Sequence, residues 1–174
     1  MDNLLSEVQS ILSMTAAHWL SLTDSLPLGL LSRKPAPEEW SALDCLQHLL
    51  DTEQWVFPMR VKAFLAGQDF PAFDPAAQGR KWTPDQPPLD LAAEFVRQRT
   101  ASLILIARLA PEDLARTAKH PELGPVTLTE MLNEWAAHDL MHLVQAQRAA
   151  MQPFIEDCGP WRKYFADHDI AGQA

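Results

Sequence analysis

Residues 127–150 read TLTEMLNEWAAHDLMHLVQAQRAA and decide the predicted fold. Thr127 and Glu130 have the spacing of a capping box, in which two side chains satisfy backbone N–H groups at the start of a helix. The stretch from Leu128 to about Ala150 contains no glycine or proline. Its apolar residues cover so much of the helix circumference that the helix is expected inside a bundle.

Three earlier segments also have helical periodicity, and no segment is predicted to be a strand. The three are predicted over residues 4–26, 41–67 and 90–109. Ser41 and Asp44 form a second capping box at the start of the middle segment, and Pro58 is expected to kink that helix because it removes a backbone hydrogen bond. The sequence therefore predicts an all-α, four-helix-bundle domain over residues 1–174, with a C-terminal extension over about 151–174.

The connection between the second and third predicted helices, residues 69–88, is long and rich in proline and aromatic residues. A loop of this length in a compact domain is usually functional or disordered. Its phenylalanine and tryptophan residues favour a packed cover over the bundle rather than a free linker.

The composition excludes several classes of function. With 14 Pro and only 6 Gly among 174 residues, the chain lacks the glycine-rich turns of dinucleotide-binding and P-loop proteins, and the G-x-S-x-G nucleophile turn is also absent. Lys and Arg total 14 against 23 Asp and Glu, which gives a formal charge of −9. Neither nucleic acid nor an anionic membrane surface is therefore an expected partner.

The sequence also indicates a cytoplasmic location. No apolar run approaches the roughly 18 residues of a membrane span, and the N-terminus lacks the basic and apolar regions of a secretory signal. The two cysteines are too few for a disulfide framework.

Three of the six histidines are candidates to meet in the core. His138 and His142 are spaced i, i+4, so both imidazoles project from one helix face about a turn apart. His48 lies on the core face of the second predicted helix, beside Cys45 and Thr52. One divalent cation would satisfy all three buried imidazoles and keep an open coordination position. From the residues alone, two interpretations stay open: ligands of one cation, or ordinary core histidines with separate hydrogen-bond partners.

Other metal sites fit the sequence less well. The chain has no Glu-x-x-His, which di-iron bundles need on two helices, and no His-Glu-x-x-His or Cys-x-x-Cys. Cys45 is three residues before His48 and is a candidate thiolate ligand, but a small buried hydrophobic side chain is the favoured interpretation.

Two pairs of sequence blocks resemble the DinB/YfiT-like superfamily of metalloenzymes. The blocks are residues 39–41 (EWS) before 48–53 (HLLDTE), and residues 120–127 (HPELGPVT) before 138–145 (HDLMHLVQ). The resemblance implies a four-helix bundle that holds one divalent ion, nickel or zinc, on His48, His138 and His142. It also implies a homodimer and, from relatives that are thiol-dependent transferases, a low-molecular-weight thiol as cosubstrate.

Five neighbours of these histidines are candidate pocket or supporting residues: Asp44, Thr52, Trp55, Trp135 and Gln145. Asp44 either orients His48 or only caps its helix, and Gln145 bonds either a bound ligand or a core partner. Trp55 and Trp135 either wall a pocket or belong to the core.

The remaining polar candidates are expected outside the cluster. Asp139 follows His138 by about 100° around the helix and is expected to point into a surface or inter-helix contact. His120 is expected in a turn, and His18 and His168 are expected at the surface.

A metal-dependent enzyme that acts on a small molecule is the leading functional hypothesis. A Lewis-acidic ion with an open position can generate hydroxide for hydrolysis or thiolate for transfer to an electrophile. The three histidines would serve as ligands only, and the sequence identifies no catalytic acid or base. The alternative hypothesis is a non-catalytic, stress-associated helical-bundle dimer whose histidines bind adventitious metal or none.

Overall fold

The computed structural model describes residues 3–70, 73 and 81–170. Within these ranges it contains, in chain order, α1 Leu4–Ser25, α2 Leu28–Leu31, α3 Ala42–Trp55, α4 Phe57–Ala66, α5 Pro88–Ile106, β1 Thr117–His120, β2 Gly124–Thr127 and α6 Leu128–Asp157. Two short 3-10 helices, Pro111–Ala115 and Gly159–Phe165, lie before β1 and after α6.

Helices α1, α3, α5 and α6 form a four-helix bundle. Helices α1 and α3 each pack against both α5 and α6, so α3 and α6 are direct neighbours. Each of the four contributes a large, fully buried side chain to the interior: Trp19, Leu46, Phe95 and Trp135. Because burial removes these apolar faces from water, packing stabilises the helices against one another. The predicted all-α, four-helix-bundle fold is confirmed.

The second predicted helix is two helices rather than one kinked helix. Val56 leaves helical geometry at φ −117° and ψ −78°, which separates α3 from α4. Pro58 lies in the first turn of α4, where its missing N–H breaks no helical hydrogen bond. Gly67 ends α4 in the left-handed region at φ 63°, which glycine adopts without steric cost. The break turns Phe57 back into the core, where it is buried.

The last helix is longer than predicted. Helix α6 continues through Pro153 to Asp157, so the first residues of the predicted C-terminal extension belong to the bundle helix. The buried Gln152 carboxamide donates to the backbone oxygen of His168 at 2.9 Å and accepts from the backbone N–H of Ile170 at 3.0 Å. These bonds tie the following segment to α6 and help offset the cost of a proline inside a helix.

A short hairpin was not predicted. Strands β1 and β2 pair antiparallel, and β2 leads directly into Thr127, the N-cap of α6. Gly124 and Pro125 occupy half of β2. Both residue types are depleted in strands, so propensity gives no signal for this element.

The connection between α4 and α5 is described in part. Phe70 is buried and packs against Phe64 at 5.5 Å between ring centroids. Trp82 is partly buried against the core, and its indole N–H donates to the Gln86 backbone oxygen at 3.0 Å. The predicted aromatic cover also includes residues 71, 72 and 74–80, which lie outside the described residues.

Among the helices of the described ranges, none combines the length and the apolar character that crossing a bilayer requires.

Candidate metal centre

Two capping boxes fix the starts of the helices that carry the three histidines. At α3, the Asp44 N–H donates to Ser41 Oγ and the Ser41 N–H donates to an Asp44 carboxylate oxygen, both at 3.1 Å. Thr127 and Glu130 make the same exchange at α6, at 2.7 and 3.2 Å. These bonds satisfy donors that a helix start leaves unpaired. Asp44 therefore has the capping role, and none of its described contacts reaches His48.

The three predicted histidines converge between α3 and α6. His48 Nε2 and His138 Nε2 are 3.1 Å apart, and one ring nitrogen from each of His48, His138 and His142 lies within 4.8 Å of the other two. The ring centroids are 4.5 to 5.1 Å apart. His48 and His142 are buried, and His138 is partly buried.

The environment keeps these imidazoles uncharged. Burial lowers the pKa of His48 to about 4 and that of His138 to about 3, and neighbouring imidazoles contribute to both shifts. Burial also lowers the pKa of His142. At neutral pH each ring therefore offers a lone pair.

Gln145 fixes which nitrogen of His142 faces the cluster. Its side-chain oxygen lies 2.9 Å from His142 Nδ1. Because a carboxamide oxygen only accepts hydrogen bonds, Nδ1 carries the proton and Nε2 keeps the lone pair. The predicted roles of Gln145 were a hydrogen bond to a bound ligand or one to a partner in the core. The structure shows a bond within the protein, to His142.

Aromatic rings surround the histidine cluster on two sides. Trp40 stacks on His142, with ring centroids 5.7 Å apart and an interplanar angle of 9°, and meets His48 edge-on at 5.1 Å. Phe57 meets His138 edge-on at 5.3 Å. Trp135 is fully buried behind Phe57, stacked on it at 4.9 Å, so it belongs to the core and supports the cluster through Phe57.

The described contacts of two other predicted neighbours, Trp55 and Thr52, do not include the three imidazoles. Trp55 is 62% exposed and lines a groove with Met59 and Phe70, so the alternative that it belongs to the core is wrong. It is the last residue of α3, beyond which the chain turns away. Thr52 is buried, but its hydroxyl donates to the Leu49 backbone oxygen at 3.0 Å.

Cys45 is a buried hydrophobic side chain and not a thiolate. It is fully buried, and burial raises the pKa of its thiol to about 12. Its sulfur is also not among the donor atoms that meet at the histidine cluster, so the favoured interpretation of Cys45 holds.

The other three histidines lie away from the cluster. His120 ends β1, and its Nδ1 accepts hydrogen bonds from the backbone N–H groups of Glu122 and Leu123 at 3.2 and 3.3 Å, which is the predicted turn role. His18 is half-buried beside Gln147, and His168 is exposed.

A cavity of about 470 Å³ adjoins the cluster on the His142 side. Its lining includes Glu39, Trp40, Met141, His142, Gln145 and Arg148. Its volume lies within the roughly 300–1,000 Å³ range of small-molecule sites, and the mixture of apolar walls and a few polar groups is also typical of such sites.

A second buried polar group, which the sequence did not reveal, lies in the same bundle. Arg99 of α5 is 1% exposed and donates to Asp139 at 2.6 and 3.1 Å and to Glu53 at 3.0 Å. The same guanidinium donates to the Leu12 backbone oxygen at 3.0 Å, and the Thr15 hydroxyl donates to Asp139 at 2.6 Å. We call Arg99, Glu53, Asp139 and Thr15 the Arg99 cluster.

The Arg99 cluster shows which of the two alternatives holds for Asp139. This carboxylate makes an inter-helix contact, as one of the two alternatives held, but it is fully buried rather than at the surface. Burial raises the pKa of Glu53 against the opposing effects of Arg99 and of a side-chain hydrogen bond with Ser102. The sequence pattern could have predicted that Arg99 is buried, since Arg99 continues the buried stripe of Leu91 and Phe95 at four-residue spacing.

The fold and the histidine cluster together define the class: a four-helix bundle with three imidazoles converging between two adjacent helices. A family model described as the DinB superfamily matches residues 11–146, and the chain belongs to that superfamily. No functionally curated protein sequence matches the chain.

Two solved structures share the fold. YfiT from Bacillus subtilis, described as "a probable metal-dependent hydrolase with an unusual four-helix bundle topology", is 17% identical and superposes with a TM-score of 0.73 over 84% of this chain and 85% of that chain. A DinB-like protein of Bacillus subtilis, YjoA, is also 17% identical, with a TM-score of 0.56 over 83% of this chain and 90% of that chain.

Proposed function

We propose that His48, His138 and His142 bind one divalent metal ion and that the protein is a metal-dependent enzyme acting on a small molecule. The observation that carries the proposal is the approach of His48 Nε2 to His138 Nε2, at 3.1 Å, with a nitrogen of His142 within 4.8 Å of both. Uncharged imidazoles brought together in this way present lone pairs to one another, and a cation accepts all three.

The donor set fits a transition-metal ion. Imidazole nitrogens lie about 2.0–2.1 Å from zinc, so two of them on a tetrahedral ion are about 3.3 Å apart. The measured separation of 3.1 Å is close to that value. Three protein ligands are the pattern of catalytic sites, in which a fourth position serves water or substrate, whereas structural sites are closed by four.

Residues around the cluster would hold the ligands in place. Gln145 fixes the tautomer and plane of His142 through its 2.9 Å hydrogen bond, which is the usual support for a metal-ligating histidine. Trp40 and Phe57 pack against the rings and restrict water on two sides.

A divalent cation at this position supplies Lewis acidity, which favours deprotonation of a water or a thiol. The adjoining cavity has room for a small electrophilic substrate beside His142. The reaction class we propose is therefore hydrolysis or transfer of a low-molecular-weight thiol to an electrophile. The description of YfiT as a probable metal-dependent hydrolase supports the first, and the family resemblance supports the second.

Nickel and zinc are the ions we propose, since both accept three neutral nitrogen ligands.

We also propose a cytoplasmic homodimer. Both cysteines are free, which suits a reducing compartment. Exposed apolar side chains outside the cavity, among them Phe154, Trp161 and Tyr164, offer a surface for a second copy.

The test is direct metal analysis. Protein purified without a histidine tag is analysed for transition metals, and the metal-free protein is then titrated calorimetrically with Zn²⁺ and with Ni²⁺. We expect binding of one equivalent in the natural chain and its loss in His138→Ala.

The matched control is His168→Ala, which removes an exposed imidazole outside the cluster and should bind as the natural chain does. Failure of the natural chain to take up either ion would overturn the proposal in favour of a non-catalytic bundle. Equal loss in both variants would assign the binding to scattered surface histidines.

A further inference from the structure

The Arg99 guanidinium connects α5 to each of the other three helices of the bundle. It reaches Asp139 on α6 through two N–H groups, at 2.6 and 3.1 Å, and Glu53 on α3 at 2.8 and 3.0 Å. A further bond, at 3.0 Å, goes to the Leu12 backbone oxygen on α1. The planar fork of a guanidinium fixes the directions of these bonds, which an ammonium group would not do.

The two carboxylates lie on the helices that carry the histidines. Asp139 is adjacent to His138 and three residues before His142 on α6, and Glu53 follows His48 by five residues on α3. One nitrogen, Arg99 Nη2, is shared between them, at 2.8 Å from Glu53 and 3.1 Å from Asp139. A single side chain therefore links α3 to α6 beside the histidine cluster.

We infer that Arg99, held by Glu53 and Asp139, is a positioning residue that fixes the separation and rotation of α3 and α6 and so preorganises the three histidines for one metal ion. The inference deepens the proposed function and rests on it. Asp139 and Glu53 act through the helix backbone and through Arg99, and none of the three is a ligand.

The chemistry of the Arg99 cluster points to position rather than to net stability. Replacing a buried ion pair by apolar side chains of similar volume is often neutral or stabilising, so three charged groups in a core are weak evidence for a stability role. Here both carboxylates and Arg99 are at most 1% exposed, and their hydrogen bonds are directional. Directional bonds specify one position of α3 relative to α6. An apolar contact allows the helices to shift along each other more easily.

The experiment is a Co²⁺ titration of the metal-free protein, read by visible absorption, because the ligand-field bands of Co²⁺ report the coordination geometry. Asp139→Asn keeps the side-chain shape but loses one acceptor for Arg99, and Arg99→Lys keeps the charge but loses the fork. We expect both variants to bind Co²⁺ about 10- to 100-fold more weakly, the usual effect of removing a supporting group at a metal site, with altered bands.

The matched control is Ile155→Ala, a buried residue of the same helix about 20 Å along the axis from His142. It should lower the melting temperature through a cavity and leave the Co²⁺ affinity and bands unchanged. If Arg99→Lys does not fold, Asp139→Asn carries the test.

The outcomes separate this inference from the proposed function. Co²⁺ binding by Asp139→Asn with the natural affinity and bands, at a lowered melting temperature, would reduce the Arg99 cluster to a folding element. A natural chain that binds no Co²⁺ would overturn the proposed metal site itself. An equal change in Ile155→Ala would show that any loss of stability loosens the site, and would also overturn the positioning role.

Discussion

Two groups of buried polar side chains lie in one bundle and are satisfied in different ways. In the Arg99 cluster, a cation meets carboxylates of opposite charge at 2.6 to 3.1 Å. In the histidine cluster, like groups face one another, and burial keeps them neutral. The counter-charge of the first group comes from the chain itself, whereas we propose that the second presents its lone pairs to a cation from outside.

The difference predicts unequal responses to mutation. A buried charge without its partner is costly, so removing one member of the Arg99 cluster should lower the free energy of unfolding as well as weaken metal binding. Removing a neutral imidazole from the core costs less free energy than leaving a buried charge unpaired. Changes in the histidine cluster should therefore act first on metal binding.

The largest effect is expected for Arg99→Met. It leaves the carboxylates of Glu53 and Asp139 buried without their counter-charge, and we expect the free energy of unfolding to fall by about 3–5 kcal/mol in urea denaturation. Arg97→Met is the control, because Arg97 is exposed on the same helix, where it pairs with Glu94. That variant should stay within about 0.5 kcal/mol of the natural chain. Similar losses in the two variants would contradict a special role for Arg99.

The next effect is the stabilisation by metal and its loss in His142→Ala. At a free Zn²⁺ concentration 100 times the dissociation constant, the folded natural chain should gain about 2.7 kcal/mol over the chelator-treated protein. His142→Ala should gain nothing, because it lacks one of three ligands. Urea denaturation with Zn²⁺ and with chelator measures both values, and an undiminished gain in the variant would place the metal elsewhere.

Acidification should lower the free energy of unfolding through the histidine cluster. The unfolded chain protonates its histidines near pH 6.5, but the folded metal-free chain holds the pKa of His48 at about 4. Between these values the unfolded state binds more protons than the folded state. The contribution of His48 to the free energy of unfolding is therefore fully present above pH 6.5. It falls by about 1.4 kcal/mol per pH unit as the pH drops towards 4.

His48→Gln removes that contribution. Denaturation curves of the metal-free variant between pH 6.5 and 4 should therefore slope less steeply than those of the natural chain. Parallel pH dependences would mean that His48 is not held neutral by the fold.

The smallest effect is expected for Gln145→Ala. Losing the 2.9 Å bond to His142 Nδ1 should weaken metal binding by about tenfold and change the metal-free stability little. Gln147→Ala is the control on the same helix, since its carboxamide contacts His18 instead. Calorimetric titration with Zn²⁺ compares the two, and an unchanged affinity in Gln145→Ala would remove its supporting role.

The bundle and the histidine cluster could be predicted because their signals are local. The capping boxes at Ser41 and Thr127 set two helix starts correctly, and the i, i+4 spacing of His138 and His142 put both rings on one face. The convergence of His48 on them followed from its place on a core stripe together with the family resemblance.

The remaining features depend on pairing across the chain, which periodicity does not encode. Arg99 is 46 positions from Glu53 and 40 from Asp139, and only packing brings the three together. Trp40 precedes a helix and lies outside any stripe, so its stacking on His142 had no sequence signal beyond its presence in a family block. The course of α6 through Pro153 was missed because tertiary contacts outweigh a local breaker.

The thiol of Cys45 has a practical consequence for anyone who assays this protein. Because it is fully buried and stays protonated, with its pKa raised to about 12, alkylating reagents cannot modify it until the native state opens. In a Cys158→Ser background, with a reagent that reacts faster than the chain refolds, the rate of labelling at Cys45 would thus equal the rate of unfolding. The same background would let consumption of an added thiol be followed without interference from the chain's own sulfur.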